Sequence, residues 1–174
     1  ESCLTRSSGA CGAASAQSAP TKPASTAVAL TVQTPDSRTR RYLVYSPGKS
    51  SKPRPLVLVF HGALDTAQNT VQETDFAQVA DQRGEIVAFM EGYMNTWNEG
   101  AGHTPAEVAG IDDVAYTTTV LNQIERHYAI DRTRIAAAGF SNGALMTELL
   151  GCRLANRITL VVPVAGPLPA SVSP

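Results

Sequence analysis

A chain of 174 residues, 43% of them apolar and 17% charged, is of a size for one globular domain with a substantial core, which excludes a disordered majority. A formal net charge of −1 offers no basic face to displace counterions and argues against nucleic acid as a partner. No apolar run approaches the length that spans a bilayer; the longest, LVLVF at 56–60 and ITLVVPVA at 158–165, are of strand length.

The chain starts at Glu1 rather than Met, which reads as a processed start or an expressed fragment. Residues 7–27, SSGACGAASAQSAPTKPASTA, hold almost no apolar bulk to offset the entropy of ordering. We therefore expect a flexible Ser/Ala/Pro-rich leader over 1–24 ahead of a domain over 25–174. Such leaders follow secretion signals, so the expected location is secreted or periplasmic. Cys11 in SGAC is a weak match to a lipoprotein acceptor, because no apolar segment precedes it. Cys3 and Cys11 enclose a short loop and can pair in an exported protein, which leaves Cys152 over. On an apolar helix Cys152 reads as a small buried hydrophobe, or else bonds to a cysteine this chain lacks. With no CxxC, HxH or HExxH spacing, no metal site is expected.

From residue 25 the pattern changes. STAVALTVQ (25–33) and RRYLVYS (40–46) are rich in β-branched and aromatic residues, and the turn-forming TPDSRT separates them, which predicts an antiparallel hairpin. Pro53 and Pro55 punctuate a loop before LVLVF (56–60), a continuous apolar run suited to a strand buried on both faces. Residues 70–83 place Val71, Phe76, Val79 and Ala80 roughly on one helical face, ended by Gly84. EIVAFM (85–90) is a second buried strand. After a Gly- and Asn-rich loop, Asp112 caps a helix with Val114, Thr117, Leu121, Ile124 and Tyr128 at spacings of three and four. A strand at 134–140, a helix at 142–156 and a strand at 158–166 complete the order. Strands alternating with helices of this length predict a three-layer α/β sandwich, mainly parallel, with an antiparallel N-terminal hairpin.

In such a sheet functional groups collect at the carboxyl ends of the strands. The sequence Gly139-Phe140-Ser141-Asn142-Gly143 stands at such an end, just before a helix. A serine nucleophile there needs a sharp strained turn, and flanking glycines let strand and helix approach closely. The amide of Asn142, at the helix N-terminus, then points where an oxyanion forms. Read alone, the pentapeptide recurs by chance in roughly one of twenty chains of this length, and Ser141 as a simple helix cap accounts for its glycines only by accident. The strand before it and the helix after it favour the nucleophile. So does LVLVFHGALD upstream, a buried strand ending in His-Gly whose loop supplies a second oxyanion amide. Ala63 is the expected donor, with Leu64 next. His61 is read as orienting this loop rather than as the base, His127 as a surface residue, and His103 as near the cleft without an acid partner.

The segments RRYLVYSP, PLVLVFHG, ADQRGEIVAFMEGY, TWNEG, IDDVAYTTTVLNQIERHYAIDRTRIAAAGFSNGALM and VVPVAGPL, in this order from about Arg40 to Leu168, resemble the polyhydroxybutyrate depolymerase/feruloyl esterase-type family of secreted α/β-hydrolases. That resemblance implies a cofactor-free serine esterase acting on short-chain, hydroxyalkanoate or plant-cell-wall acyl esters. It makes Ser141 the nucleophile and puts Trp97 of TWNEG on the rim of the substrate cleft; read from the residues, the single tryptophan suits either a core role or a cleft wall. Asp112 and Asp113 match the family's paired aspartates and are read as helix caps. Ala63 stands where relatives often carry glycine or cysteine, and Ala144 where a second glycine is usual.

In this fold the acid and the histidine follow the serine. Here the only acidic residue downstream is Glu148, and no histidine follows, so the chain reads as the N-terminal two thirds of the family's domain. Two expectations result. The first is a serine esterase whose acid and histidine come from a C-terminal fragment or second chain that also completes the sheet, leaving residues 1–174 alone inactive and poorly soluble. The alternative is a non-catalytic, hydrolase-like scaffold that binds a ligand or partner. A metallohydrolase built on His61, His103 and Asp112 is weakly supported, because those residues lack ligand spacing.

Overall fold

The computed structural model describes residues 26–166. The leader at 1–24, the Cys3–Cys11 pairing and residues 167–174 lie outside the described residues. The elements run β1 (Val28–Gln33), β2 (Thr39–Tyr45), β3 (Arg54–Phe60), α1 (Ala67–Glu73), α2 (Phe76–Arg83), β4 (Ile86–Met90), α3 (Pro105–Val108), α4 (Asp113–His127), β5 (Ile130–Phe140), α5 (Asn142–Arg153) and β6 (Leu160–Val164).

The six strands form one sheet in the order β1-β2-β4-β3-β5-β6. The hairpin β1–β2 is antiparallel and joins β4 antiparallel, whereas β4–β3, β3–β5 and β5–β6 are parallel. Period-two alternation assigns the faces. Leu56, Leu58, Phe60, Ile86, Ala88 and Met90 point to one side, where they meet Val120, Leu121 and Ile124 of α4 and Met146 and Leu150 of α5. Val59, Val87 and Phe89 point to the other, against Ala67 and Ala80 of α1 and α2. The three layers are as the strand–helix alternation predicts.

Where one helix is expected at 70–83, two form. Val71 and Phe76 lie five residues apart, about 140° out of phase on a continuous helix, yet both pack on the sheet. The chain breaks at Thr74, which is extended at φ −121°, ψ 154° and bonds its hydroxyl back to the Thr70 carbonyl at 2.6 Å. The break re-phases the helix so that both side chains face inward.

This topology also positions the site. The helices after β3 lie on one face and the helix after β5 on the other, and β3 and β5 are neighbours. Their carboxyl ends therefore part around a crevice, the switch point where open α/β sheets bind ligands.

Candidate active site

Ser141 stands at this crevice with φ 54° and ψ −119°, a conformation rare outside glycine. Its backbone is held on both sides. The amide donates to the Val164 carbonyl at 2.9 Å, and the Ser141 carbonyl accepts from Ala144 at 2.9 Å and Leu145 at 3.2 Å. The side chain makes no capping hydrogen bond to α5, so a simple helix cap does not account for this serine. The flanking glycines are sterically required. A Cβ on Gly139 would lie 2.2 Å from the Gly143 carbonyl oxygen, and one on Gly143 would lie 2.3 Å from that of Phe60. The turn thus brings α5 against the end of β3 as well as β5.

At the end of β3, His61 is buried and uses both ring nitrogens: Nδ1 sits 2.7 Å from the Gly62 carbonyl and Nε2 accepts from the Gly92 amide at 2.9 Å. That pattern fixes the tautomer with the proton on Nδ1 and leaves no nitrogen for a serine. His61 orients the loop. The Leu64 amide is taken by the Asn95 carbonyl at 2.8 Å, whereas the amides of Ala63 and Asn142 make no hydrogen bond among the described residues. His127 and His103 are exposed; His127 ends α4, the length of β5 away from Ser141.

Trp97 departs from the rim position its resemblance implies. It is fully buried, 0% exposed. Its ring packs edge-on to Phe60 at 5.1 Å and lies 5.0 Å from the His61 ring, and its Nε1 donates to the His61 carbonyl at 2.8 Å. Its amide donates to Asn142 Oδ1 at 2.8 Å. An indole beside Phe60, in one core cluster with side chains of α4 and α5, is better satisfied by a buried carbonyl than by water. Trp97 therefore ties the end of β3 to the first residue of α5 and is no cleft wall.

The paired aspartates divide their work, which corrects the reading of both as caps. Asp112 caps α4 by accepting from the Ala115 amide at 2.8 Å. Asp113 is buried and accepts from Arg40 Nη2 at 2.8 Å and from the Asn98 amide at 2.8 Å. Arg40 also donates to the Glu91 carbonyl at 3.0 Å and lies 4.1 Å over the Tyr116 ring. This ion pair pins the loop after β4 whose next residue back is Trp97. Its signal was present in RRYLVY: Arg40 shares the strand phase of Tyr42 and Val44, both buried, so a charge in that phase needs a buried partner. The reading of Cys152 as a buried small hydrophobe is likewise corrected: it is exposed on α5, because its position falls on the helix face away from the sheet.

Beneath the elbow lies a groove of about 320 Å³ between α1–α2 and the far strands, lined by Val59, Phe76, Ala138, Phe140, Val162 and Val164 among others. No group of His, Cys, Asp and Glu among the described residues is arranged to hold a metal ion. No described helix is long and apolar enough to cross a membrane.

No protein-family model matches the chain. It is 33% identical over 132 residues to feruloyl esterase B of Piromyces equi, covering 72% of this chain and 24% of that protein. Over another 132 residues it is 31% identical to a poly(3-hydroxybutyrate) depolymerase of Ralstonia pickettii, covering 69% of this chain and 27% of that protein. The chain thus spans about a quarter of the length of these two relatives. An acetyl xylan esterase structure from Aspergillus awamori superposes with a TM-score of 0.67 at 16% identity, over 81% of this chain and 53% of that one. The chain has the α/β-hydrolase fold and is a relative of the feruloyl esterases, acetylxylan esterases and poly(3-hydroxybutyrate) depolymerases.

Proposed function

We propose that this chain carries the nucleophile of a secreted serine esterase, cofactor-free and acting on short-chain, hydroxyalkanoate or feruloyl and acetyl polysaccharide esters. The observation that carries the reading is Ser141 itself, held at φ 54° between two glycines that no larger residue can replace, with its hydroxyl unused as a cap. Relatives named for ester hydrolysis support the reaction class. In the mechanism, a histidine outside residues 26–166, oriented by an acid, takes the Ser141 proton as Oγ attacks the ester carbonyl. The amides of Ala63 and Asn142 stabilise the oxyanion, an arrangement supported by their having no partner among the described residues. The histidine passes its proton to the departing alcohol, and water then hydrolyses the acyl-enzyme. A C-terminal continuation or second chain supplies that histidine and pairs beside β6.

The test is covalent labelling by a fluorophosphonate, on protein purified with any polypeptide that accompanies it. Ser141→Ala should abolish both labelling and ester hydrolysis. Undiminished labelling of that variant would remove Ser141 as the nucleophile. Residues 1–174 alone should hydrolyse p-nitrophenyl butyrate at near-background rates; ordinary enzyme turnover by the isolated chain would sink the proposal that the base comes from elsewhere.

A further inference from the structure

Two loops meet beside the proposed oxyanion donor Ala63, and each carries a side chain that the fold does not use. Six non-glycine residues among the described residues have positive φ. Ser37 and Asn95 are polar residues of tight turns, Ala165 is small, and Ser141 is the elbow itself. The other two are Leu64 at φ 66° and Met94 at φ 47°, long apolar side chains in a region that glycine and asparagine prefer. The same two are 84% and 66% exposed. Strained backbone and exposure thus coincide at Leu64 and Met94, and at no other large apolar residue among those described.

The two residues are neighbours. Leu64 follows Ala63 directly, and its amide donates at 2.8 Å to the carbonyl of Asn95, the residue after Met94. Met94 and Asn95 are the central pair of a miniature hairpin closed by the Tyr93–Thr96 bridge, with the Thr96 amide donating to the Tyr93 carbonyl at 3.0 Å. A two-residue hairpin turn with both φ values positive favours Asn-Gly, so methionine is a poor local choice there. The hairpin is held from three sides. Gly92 at its base donates to His61 Nε2 at 2.9 Å, and a Cβ on Gly92 would lie 2.6 Å from the Thr96 carbonyl oxygen. Thr96 Oγ1 takes the Ala106 amide at 3.1 Å, and the Arg38 guanidinium lies 5.3 Å over the Tyr93 ring. The loops are therefore rigid, and their two apolar side chains stay outside the core. Glycine or asparagine would suit the backbone better at both positions, and burial does not account for leucine or methionine. Strain that the surroundings impose, at the mouth of a crevice, points to a contact made with a ligand.

We infer that Leu64 and Met94 form an apolar lip that receives the hydrophobic substituent of the ester next to its carbonyl, on the acyl or the alcohol side, and so determine selectivity for chain length. The inference rests on the esterase reading, because the Ala63 amide fixes where the carbonyl oxygen lies. The carbonyl carbon bears both substituents, and Leu64 is the side chain that follows the donor. A chain laid on the lip covers apolar surface that otherwise faces water. Each methylene that reaches it should improve binding by about two- to fourfold.

Two ester series test this on the full chain with any polypeptide that accompanies it: ethyl esters from acetate to hexanoate, and acetates from ethanol to hexanol. kcat/KM should rise along one series, which identifies the side the lip holds. Leu64→Gly and Met94→Gly should each reduce the ratio between the ends of that series by about three- to tenfold. Glycine suits positive φ, so the urea midpoints of both variants should hold or rise. A flat profile in both series, an unaltered ratio in both variants, or a fall in both midpoints would overturn the inference. Binding is read without turnover from the carbon-13 signal of the Met94 ε-methyl. Met90 and Met146, the other two methionines, are fully buried, and Met94→Gly identifies the signal by its loss. Methyl ketones from butanone to octan-2-one keep the carbonyl and cannot be hydrolysed; they should shift this signal with affinity that rises with chain length. A signal unmoved by the longest ketone overturns the lip. Loss of fluorophosphonate labelling with the Met94 shift retained would instead sink the esterase reading and leave the apolar site in place.

Discussion

Ser141 holds a backbone conformation that costs about 1–3 kcal/mol in a non-glycine residue. It persists because the surroundings over-determine it: three main-chain hydrogen bonds grip its peptide groups, and two glycines admit backbone where any side chain would collide. Gly143 is the sharper case, because the space its Cβ would fill belongs to the carbonyls of Phe60 and His61, at 2.3 and 2.5 Å. Backbone of a central strand cannot step aside as a flexible side chain can. Gly143→Ala should therefore destabilise the fold by about 3 kcal/mol or more, read as a lower urea midpoint at unchanged slope. An unchanged midpoint would mean that α5 does not seat against β3 as described. These glycines were legible in the sequence, since steric need at a strand-to-helix turn is a local matter. Trp97 was not: whether an indole in a polar loop points inward depends on Phe60 and His61, remote in the chain.

At the scale of elements, the crevice is assembled by a relay of polar contacts that begins far from it. Arg40 of β2 meets Asp113 at the start of α4; Asp113 holds the Asn98 amide; the neighbouring Trp97 holds Asn142 at the start of α5. Asp113→Ala strands a guanidinium that is only 6% exposed and should cost about 3–5 kcal/mol. The double change Arg40→Met, Asp113→Leu should cost less, because no buried charge remains. It should still leave a deficit of about 1–3 kcal/mol, since the Asn98 amide loses its acceptor. Thermal unfolding of both variants checks this, and equal losses would show that the two residues do not act as a pair. The strand phase of Arg40 announces a buried charge, but its partner stands 73 residues on, at a separation that no local pattern spans. The split of the helix after β3 has the same origin, because the sheet required both Val71 and Phe76.

For the whole molecule, the last strand described is an open apolar feature. Leu160, Val162 and Val164 are 57%, 43% and 51% exposed, and Phe140 beside them is 57% exposed. They share the sheet face that α1 and α2 cover only in part, while α5 lies over the opposite face, where a Cβ on Gly151 would meet the Val161 side chain at 3.1 Å. An apolar face beside an edge strand is a template for association. Residues 1–174 alone should therefore self-associate, and Val162→Lys should raise the monomeric fraction in sedimentation without altering far-ultraviolet circular dichroism. A wild-type chain that stays monomeric at high concentration would show that this face needs no cover.

The sequence by itself determined the order of strands and helices, the antiparallel hairpin, the glycine-flanked elbow and the His-Gly loop, because each follows from periodicity and steric demand within a few residues. It also carried the resemblance that names the relatives. Tertiary structure alone decided that His61 spends both nitrogens on main-chain groups of Gly62 and Gly92, that Trp97 is a core rivet, that Asp113 pairs with Arg40 while Asp112 caps, and that Glu99 is buried. The physical reason is common to all four. Burial and hydrogen-bond satisfaction are properties of a site assembled from separate strands and loops, and a side chain's chemistry is settled by the neighbours that assembly brings to it.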